Sequence, residues 1–411
     1  MPEFLKLLPP AEALARLLAA LPDPGTASEK LPALSALGRV TAEDVRAPHP
    51  LPAFPRSTVD GYAVYAADTF GASESMPAYL ALVGEVPMGV SPAIDLRPGQ
   101  AALIHTGGML PAGSDAVVML EQTQSVRSGE IEVLRPVAAG ENVILVGEDV
   151  AEGEIVLPAG VCLRPAEIGG AMALGITSLR VAIKPRVGIL SSGDEIVPPD
   201  QSPQPGQVRD VNSYALAALI SEAGGEPVLY GIFPDRLDVM KQAARKALAE
   251  CDLVVVTAGS SASARDMTSE AIASLGSPGV LVHGVNVRPG KPTILAVCDG
   301  KAVVGLPGNP VSALVIAGLF VVPVVERILG LKSRRPRPSI RATLLTNIAS
   351  QAGREDWVAV QLSQGKIGWE AAPIFAKSNL IFSLVRADGL VCIPPDATGI
   401  AAGETVTVFL N

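Results

Sequence analysis

The chain has 411 residues, too many for one compact core and enough for about two to four domains. With 48% apolar residues but only 4% aromatics, its cores must be built from Ala, Val, Leu and Ile. A net charge of −9 excludes a general nucleic-acid binder, which needs a basic surface to displace counterions. Backbone N–H groups and a few Lys or Arg can still bind an anion locally on an acidic protein.

Residues 1–50 open with apolar positions at helical spacing (Leu14, Leu17, Leu18, Leu21), broken at Pro22 to Gly25 and followed by a second element around 34–45. Glu3 and Glu12 and the lack of a basic start argue against a signal peptide, so the expected location is cytoplasmic. Residues 51–146 carry short apolar runs at all-β spacing: 83–86, 101–105, 116–120 and 131–134. Residues 147–184 alternate Gly with apolar residues and are expected to link residues 1–50 with residues 185–332.

Residues 185–332 alternate strands and helices. Strands are expected at 186–191, 227–232, 253–257 and 303–306, and helices at 212–223, 237–249, 268–275 and 312–329. Strands that are continuous apolar runs with helices between them predict a parallel sheet covered on both faces. The apolar run Ala313–Val325 is too short to span a bilayer and contains Pro323, so a buried core helix is expected and no membrane partner. A basic, proline-rich linker follows at 332–338, and residues 339–411 return to short strands ending in an alternating run at 404–409.

Cys162, Cys251, Cys298 and Cys392 are scattered, as are His49, His105 and His283. That spacing predicts buried thiols rather than a zinc site, and any divalent metal would be a hard one held by carboxylates. In doubly wound sheets ligands bind outside the carboxyl ends of the strands. Three such ends carry small-residue loops: Ser192-Gly193-Asp194-Glu195, Ala258-Gly259-Ser260-Ser261-Ala262-Ser263 and Pro307-Gly308-Asn309-Pro310. Small residues let backbone approach an anion, and N–H groups at a helix start point at it. Arg288-Pro289-Gly290-Lys291-Pro292 sets two cations around a rigid turn. Neither a Walker loop nor a G-x-S-x-G elbow is present, which points to catalysis by positioning, a metal ion and electrostatics.

Taken together, these motifs resemble the molybdopterin molybdenumtransferase family, the MoeA type that includes the E domain of gephyrin. The likeness runs through 57–63, Thr106-Gly107 with 111–118, Gly147-Glu148-Asp149, 191–195, 210–212, 288–292 and 306–312, and reaches 387–393 and 402–406. It implies an elongated multidomain α/β plus β chain: 1–50 with 147–184 as a dimerisation domain, 51–146 β-rich, 185–332 the molybdopterin-binding α/β domain and 333–411 a β-barrel. It also implies insertion of molybdate into adenylylated molybdopterin with Mg²⁺-dependent release of AMP, in a homodimer supplied by a molybdopterin adenylyltransferase. By the same resemblance Asp60, Glu195, Asp235 and Asp266 are catalytic, and the last three hold the metal. Thr106, Asp149, Ser192, Gly193, Ser261, Arg288, Lys291, Pro307, Gly308, Asn309 and Pro310 bind substrate.

The chain departs from the family at three places. Residues 258–263 stand where a Gly-Gly-x-Ser-x-Gly loop is usual, Arg288 replaces a common Lys, and Gly284 stands where many members have another. Those changes bear on molybdate against tungstate. A non-catalytic scaffold on the same fold and a nucleotide hydrolase on the related α/β domain are the competing readings. The joint presence of Asp60, Asp149, Glu195, Asp235 and Asp266 favours the enzyme over the scaffold, and the flanking β regions argue against the hydrolase.

Overall fold

The computed structural model describes residues 7–25, 27–258, 262–332, 334 and 336–410. Its centre is a six-stranded sheet in the order Glu226–Phe233, Arg186–Ser192, Leu253–Ala258, Lys301–Pro307, Ile294–Cys298, Pro278–His283. Side-chain alternation divides this sheet between two cores. Val187, Ile189, Leu253 and Val255 face Leu216 and Ile220 of the helix Asn212–Glu222 and the long helix that starts at Pro310. Leu190, Val254 and Val256 face Met240, Ala244 and Ala247 of the helix Leu237–Glu250 and Ala271 and Ile272 of Ala262–Ala273.

Both faces are therefore covered, but the sheet is not purely parallel. Ile294–Cys298 runs antiparallel to both of its neighbours, making a hairpin with Lys301–Pro307 through Asp299-Gly300. No strand is expected from the sequence at 278–288, where the strand Pro278–His283 ends and a separate short strand, Val287–Arg288, leaves the sheet. The helix expected from 268 begins earlier, at Ala262.

The apolar helix is longer than its apolar run suggests. Pro310–Ile328 spans 19 residues at a mean hydropathy of 2.1, enough by length and composition to cross a membrane, yet 56% of it is buried inside the fold. Phe320 is wholly buried in this core, and its truncation to Ala would cost about 3–5 kcal/mol. Pro323 has no N–H for the carbonyl four residues back, and the helix widens to π geometry over Ala317–Val321 just before it.

The N-terminal helix Pro10–Ala20 lays Ala13 and Leu17 into the same core, so it shares the α/β interior although the resemblance groups it with 147–184. The element expected at 34–45 is instead a single 3-10 turn, Ala33–Ala36, followed by isolated bridges. Strand Ser28–Pro32 pairs with Ser178–Ala182 and Val45–Arg46 with Ile155–Leu157, joining residues on both sides of the β-rich stretch.

That stretch holds a six-stranded sheet in the order Ala116–Met119, Gly61–Val64, Gln100–Ile104, Ala78–Glu85, Glu130–Val133, Thr123–Arg127. The C-terminal strands Glu355–Gln364, Trp369–Pro373, Ser339–Leu344, Thr405–Leu410 and Gly389–Ile393 pair round into a closed barrel filled by Leu344, Val360, Val391 and Val408. Val287–Arg288 adds to the barrel as a parallel edge, with Arg288 opposite Asp356. This pairing fixes the Arg-Pro-Gly-Lys-Pro turn between the two domains.

Candidate active site

The chain passes from Arg186–Ser192 to one side of the sheet, at Glu226–Phe233, and then to the other, at Leu253–Ala258. The carboxyl ends of these strands therefore form the topological switch point, where backbones diverge and leave a crevice. Ser192 and Asp235 meet there: the Ser192 hydroxyl donates to Asp235 Oδ1 at 2.5 Å. The Asp235 amide donates to Asp194 Oδ1 at 3.2 Å, and the Gly193 amide to the Phe233 carbonyl at 3.2 Å. Gly193 is at φ +156°, and a Cβ there would lie 2.8 Å from Glu195 Oε2. The glycine thus lets the Glu195 carboxylate fold back against the strand end.

Asp266 is exposed in the second turn of the helix that follows Leu253–Ala258. Ser261 lies outside the described residues. Glu195, Asp235 and Asp266 do not close on one another, since no group of three or more His, Cys, Asp or Glu side chains among the described residues is arranged to hold a metal ion. Burial pushes the thiols of Cys298 and Cys392 up to about 11 and about 12, so neither is a ready thiolate ligand.

A cleft of about 670 Å³ lies between the α/β domain and the barrel. Arg288, Lys291, Pro307 and Asn309 line it from one side, and Arg354, Lys377 and Ser378 from the other. The two sequence segments singled out for an anion do therefore face one space. Between Pro307 and Asn309, the Gly308 carbonyl accepts from the side-chain Nδ2 of Asn212, at the start of the helix Asn212–Glu222, at 2.8 Å.

The cleft's charge is shaped by one buried carboxylate. Asp356, only 2% exposed, takes a bidentate pair from Arg354, at 2.6 and 2.9 Å, while Arg288 Nη1 stands 3.8 Å from its Oδ2. Arg354 is thus neutralised and held rigid. Arg288 remains mostly exposed, and Lys291 and Lys377 form no ion pair among the described residues. Gly290, at φ +120°, rests against the Ile316 side chain, leaving no room for a Cβ. That contact seats the turn on the long helix.

The start of that helix is less open than its sequence suggests. Pro310 has no N–H, and the Val311 amide is taken by the Ser378 carbonyl at 3.1 Å, while Asn309 Nδ2 donates to Ser378 Oγ at 3.0 Å. The helix end is tied to the C-terminal region rather than left free for an anion. Arg354, Lys377 and Ser378 were not foreseen. Single polar residues in a β-rich tail give no local signal of a site.

Asp60 and Thr106 come together in the β-rich sheet. Gly61–Val64 pairs with Gln100–Ile104, placing Gly61 opposite Ile104. The Thr106 amide and hydroxyl then both donate to Asp60 Oδ1, at 2.7 and 3.1 Å. These bonds, the amide first, hold the exposed Asp60 carboxyl below the usual carboxylate range. Asp149 sits apart, with its amide donating to the Leu51 carbonyl. No hydrogen bond or ion pair among the described residues joins Asp60 or Asp149 to the switch point of the same chain.

A doubly wound domain with small-residue loops and carboxylates at the carboxyl ends of its strands, joined to a β-barrel across a cleft lined by Arg288, Lys291, Arg354 and Lys377, is the framework of a multidomain ligand-binding enzyme. Residues 8–175 match the MoeA N-terminal region (domain I and II), 188–327 a probable molybdopterin binding domain, and 341–410 the MoeA C-terminal region (domain IV). The chain belongs to the molybdopterin molybdenumtransferase family and is a transferase of molybdenum cofactor biosynthesis. It is 35% identical to the molybdopterin molybdenumtransferase of Nostoc sp., over 91% of this chain and 87% of that one. It is 33% identical to molybdopterin molybdenumtransferase 2 of Mycobacterium tuberculosis, over 92% and 94%. The crystal structure of a molybdopterin biosynthesis MoeA protein from Pyrococcus horikoshii superposes with a TM-score of 0.86 at 34% identity, over 99% of this chain and all of that one. The fold follows as a MoeA-like multidomain architecture with a closed five-stranded barrel.

Proposed function

We propose that this enzyme inserts molybdate into adenylylated molybdopterin and releases AMP, with Mg²⁺ at the carboxylates of the switch point. The observation that carries the reading is the shared Pro307–Asn309 turn. Its Pro307 and Asn309 line the Arg288–Lys291 cleft, and its Gly308 carbonyl is tied to Asn212 at the start of the helix that comes after Arg186–Ser192 in the chain, so a pterin adenylate and an oxyanion would meet across it.

The donor set fits Mg²⁺. That ion takes one or two protein carboxylates, completes its shell with water and phosphate oxygens, and needs no cage of three. Glu195 and Asp235 would hold it, and Asp266, on the helix that follows the neighbouring strand Leu253–Ala258, would join through water. Bound there, it would neutralise charge on the phosphate bridge being cleaved. The Ser192 hydroxyl fixes one Asp235 oxygen, and the other would meet the ion. Lys291 and Lys377, unpaired, would attract the dianion, and Arg288 offers a planar fork for two oxyanion contacts. Asp60 and Thr106 would be supplied by the second subunit of a homodimer, and the substrate by a molybdopterin adenylyltransferase.

The test is AMP release from adenylylated molybdopterin with Mg²⁺ and molybdate, or tungstate in a parallel arm. Glu195→Gln removes a charge at nearly constant volume and should lower AMP release at least about tenfold with the fold intact. Wild-type release from that variant would remove Glu195 from the site.

A further inference from the structure

The β-rich domain holds a side chain that no motif marks. Three neighbouring strands bring Asp60, Glu85 and His105 to one edge of the sheet. Glu85 ends the strand Ala78–Glu85, which pairs in parallel with Gln100–Ile104, and Asp60 precedes Gly61–Val64 on the other side of that strand. His105 follows the central strand and stands between the two carboxylates. Its Nε2 is 3.0 Å from Glu85 Oε1, and its Nδ1 is 3.7 Å from Asp60 Oδ1.

We propose that His105, oriented by Glu85, is the positioning residue for the Asp60 carboxylate. This rests on the reading that Asp60 serves the reaction. The Thr106 amide and hydroxyl and the His105 ring all converge on the same oxygen, Oδ1. No described hydrogen bond is made to Oδ2, so the free oxygen is the one that can meet a ligand. A carboxylate anchored through one oxygen alone can still swing about its Cβ–Cγ bond. The imidazole, arriving from a second direction, restricts that rotation. Glu85, 3.0 Å from Nε2, sets the plane of the ring and turns Nδ1 toward Asp60. His105 acts through Asp60 and need not touch the substrate. The ring's half-exposed setting, 41% for the side chain, leaves room for a small molecule to replace it.

The experiment compares the full-length enzyme with His105→Ala, His105→Gln, Glu85→Gln, the His105→Ala/Glu85→Gln double variant and Asp60→Asn. Turnover and KM for adenylylated molybdopterin are read with and without added imidazole, beside the thermal midpoint. His105→Ala should lose about tenfold in turnover with little change in KM, and millimolar imidazole should restore part of it. The double variant should be no slower than His105→Ala, because Glu85 acts only through the ring. His105→Gln, which keeps a donor toward Glu85, guards against a folding defect in the alanine variant and should fall between the two. Wild-type turnover in both His105 variants alongside an inactive Asp60→Asn overturns the proposal alone. Wild-type turnover in Asp60→Asn overturns the reading beneath it. A loss in His105→Ala that imidazole leaves untouched and that tracks a lowered thermal midpoint assigns His105 to the scaffold and also overturns it.

Discussion

The hydroxyl of Ser192 and the carboxylate of Asp235 are 2.5 Å apart although 43 residues separate them in the chain. Each follows a strand of one parallel pair, and their bond bridges the carboxyl ends of that pair. It is also the tightest polar link among the residues expected to serve the reaction. Its consequence is that Asp235 is aimed before any ligand arrives.

Removing that aim gives the first prediction. Ser192→Ala takes away the donor to Asp235 Oδ1 but leaves the backbone bond from the Asp235 amide to Asp194. The thermal midpoint should hardly move, while the Mg²⁺ concentration for half-maximal AMP release should rise about tenfold, the usual range for loss of an oriented partner of a metal ligand. A Mg²⁺ titration of the variant measures it, and an unchanged midpoint of that titration would detach Asp235 from the metal.

The cleft makes a prediction about the oxyanion. Lys291 has no carboxylate partner among the described residues, whereas Arg288 stands 3.8 Å from Asp356. Lys291→Ala should therefore raise the molybdate concentration needed for turnover by roughly tenfold or more and leave adenylate binding nearly as it was, a split that an exposed surface pair would not produce. Equal molybdate dependence in wild type and variant would move the search to the loop around Ser261.

Two carboxylates of the expected site, Asp60 and Glu195, share no described contact within one chain. A two-fold dimer would bring one from each subunit into a single site. An equal mixture of Asp60→Ala and Glu195→Gln chains, unfolded and refolded together, then forms about half heterodimers, each with one intact site, so about a quarter of the sites should recover activity. Recovery indistinguishable from zero, with dimers present by sedimentation, would place both residues in separate roles.

A fourth prediction concerns pH. The Arg164 guanidinium and backbone amide grip the Glu167 carboxylate at the start of helix Pro165–Ala173 and pull its pKa from 4.5 down to about 2. A depressed carboxylate pKa adds stability that is complete above the unfolded value and disappears as pH falls through the folded one. Thermal midpoints measured from pH 6 to pH 2 should fall more steeply below about pH 4.5 in wild type than in Glu167→Gln. Parallel curves would show that the cap contributes nothing through its charge.

Much of this architecture was legible in the chain itself. Continuous apolar runs announced Arg186–Ser192 and Leu253–Ala258, because strands covered on both faces need no polar alternation. The helix Leu237–Glu250 showed its 3.6-residue stripe. Small-residue loops pointed to the carboxyl ends of the strands, where Ser192 and Asp235 do meet. Periodicity could not give strand direction. Ile294–Cys298 is as apolar as the parallel strands of the same sheet, and the turn at Asp299-Gly300 makes it antiparallel.

Local chemistry set which residues are available: the carboxylates, the Pro-Gly turn between two cations, the hydroxyl beside Gly193. Tertiary structure decided how they are used, because contact energy depends on distance in space while the sequence records only distance along the chain. Lys377 and Ser378 joined the cleft, and Val311 lost its free amide to Ser378, only when the barrel docked on the α/β domain. Asp356 became the anchor of Arg354 through burial that its own neighbours do not foretell. His105 came to stand between Asp60 and Glu85 because three strands happened to pair in that order, a register set by the sheet as a whole.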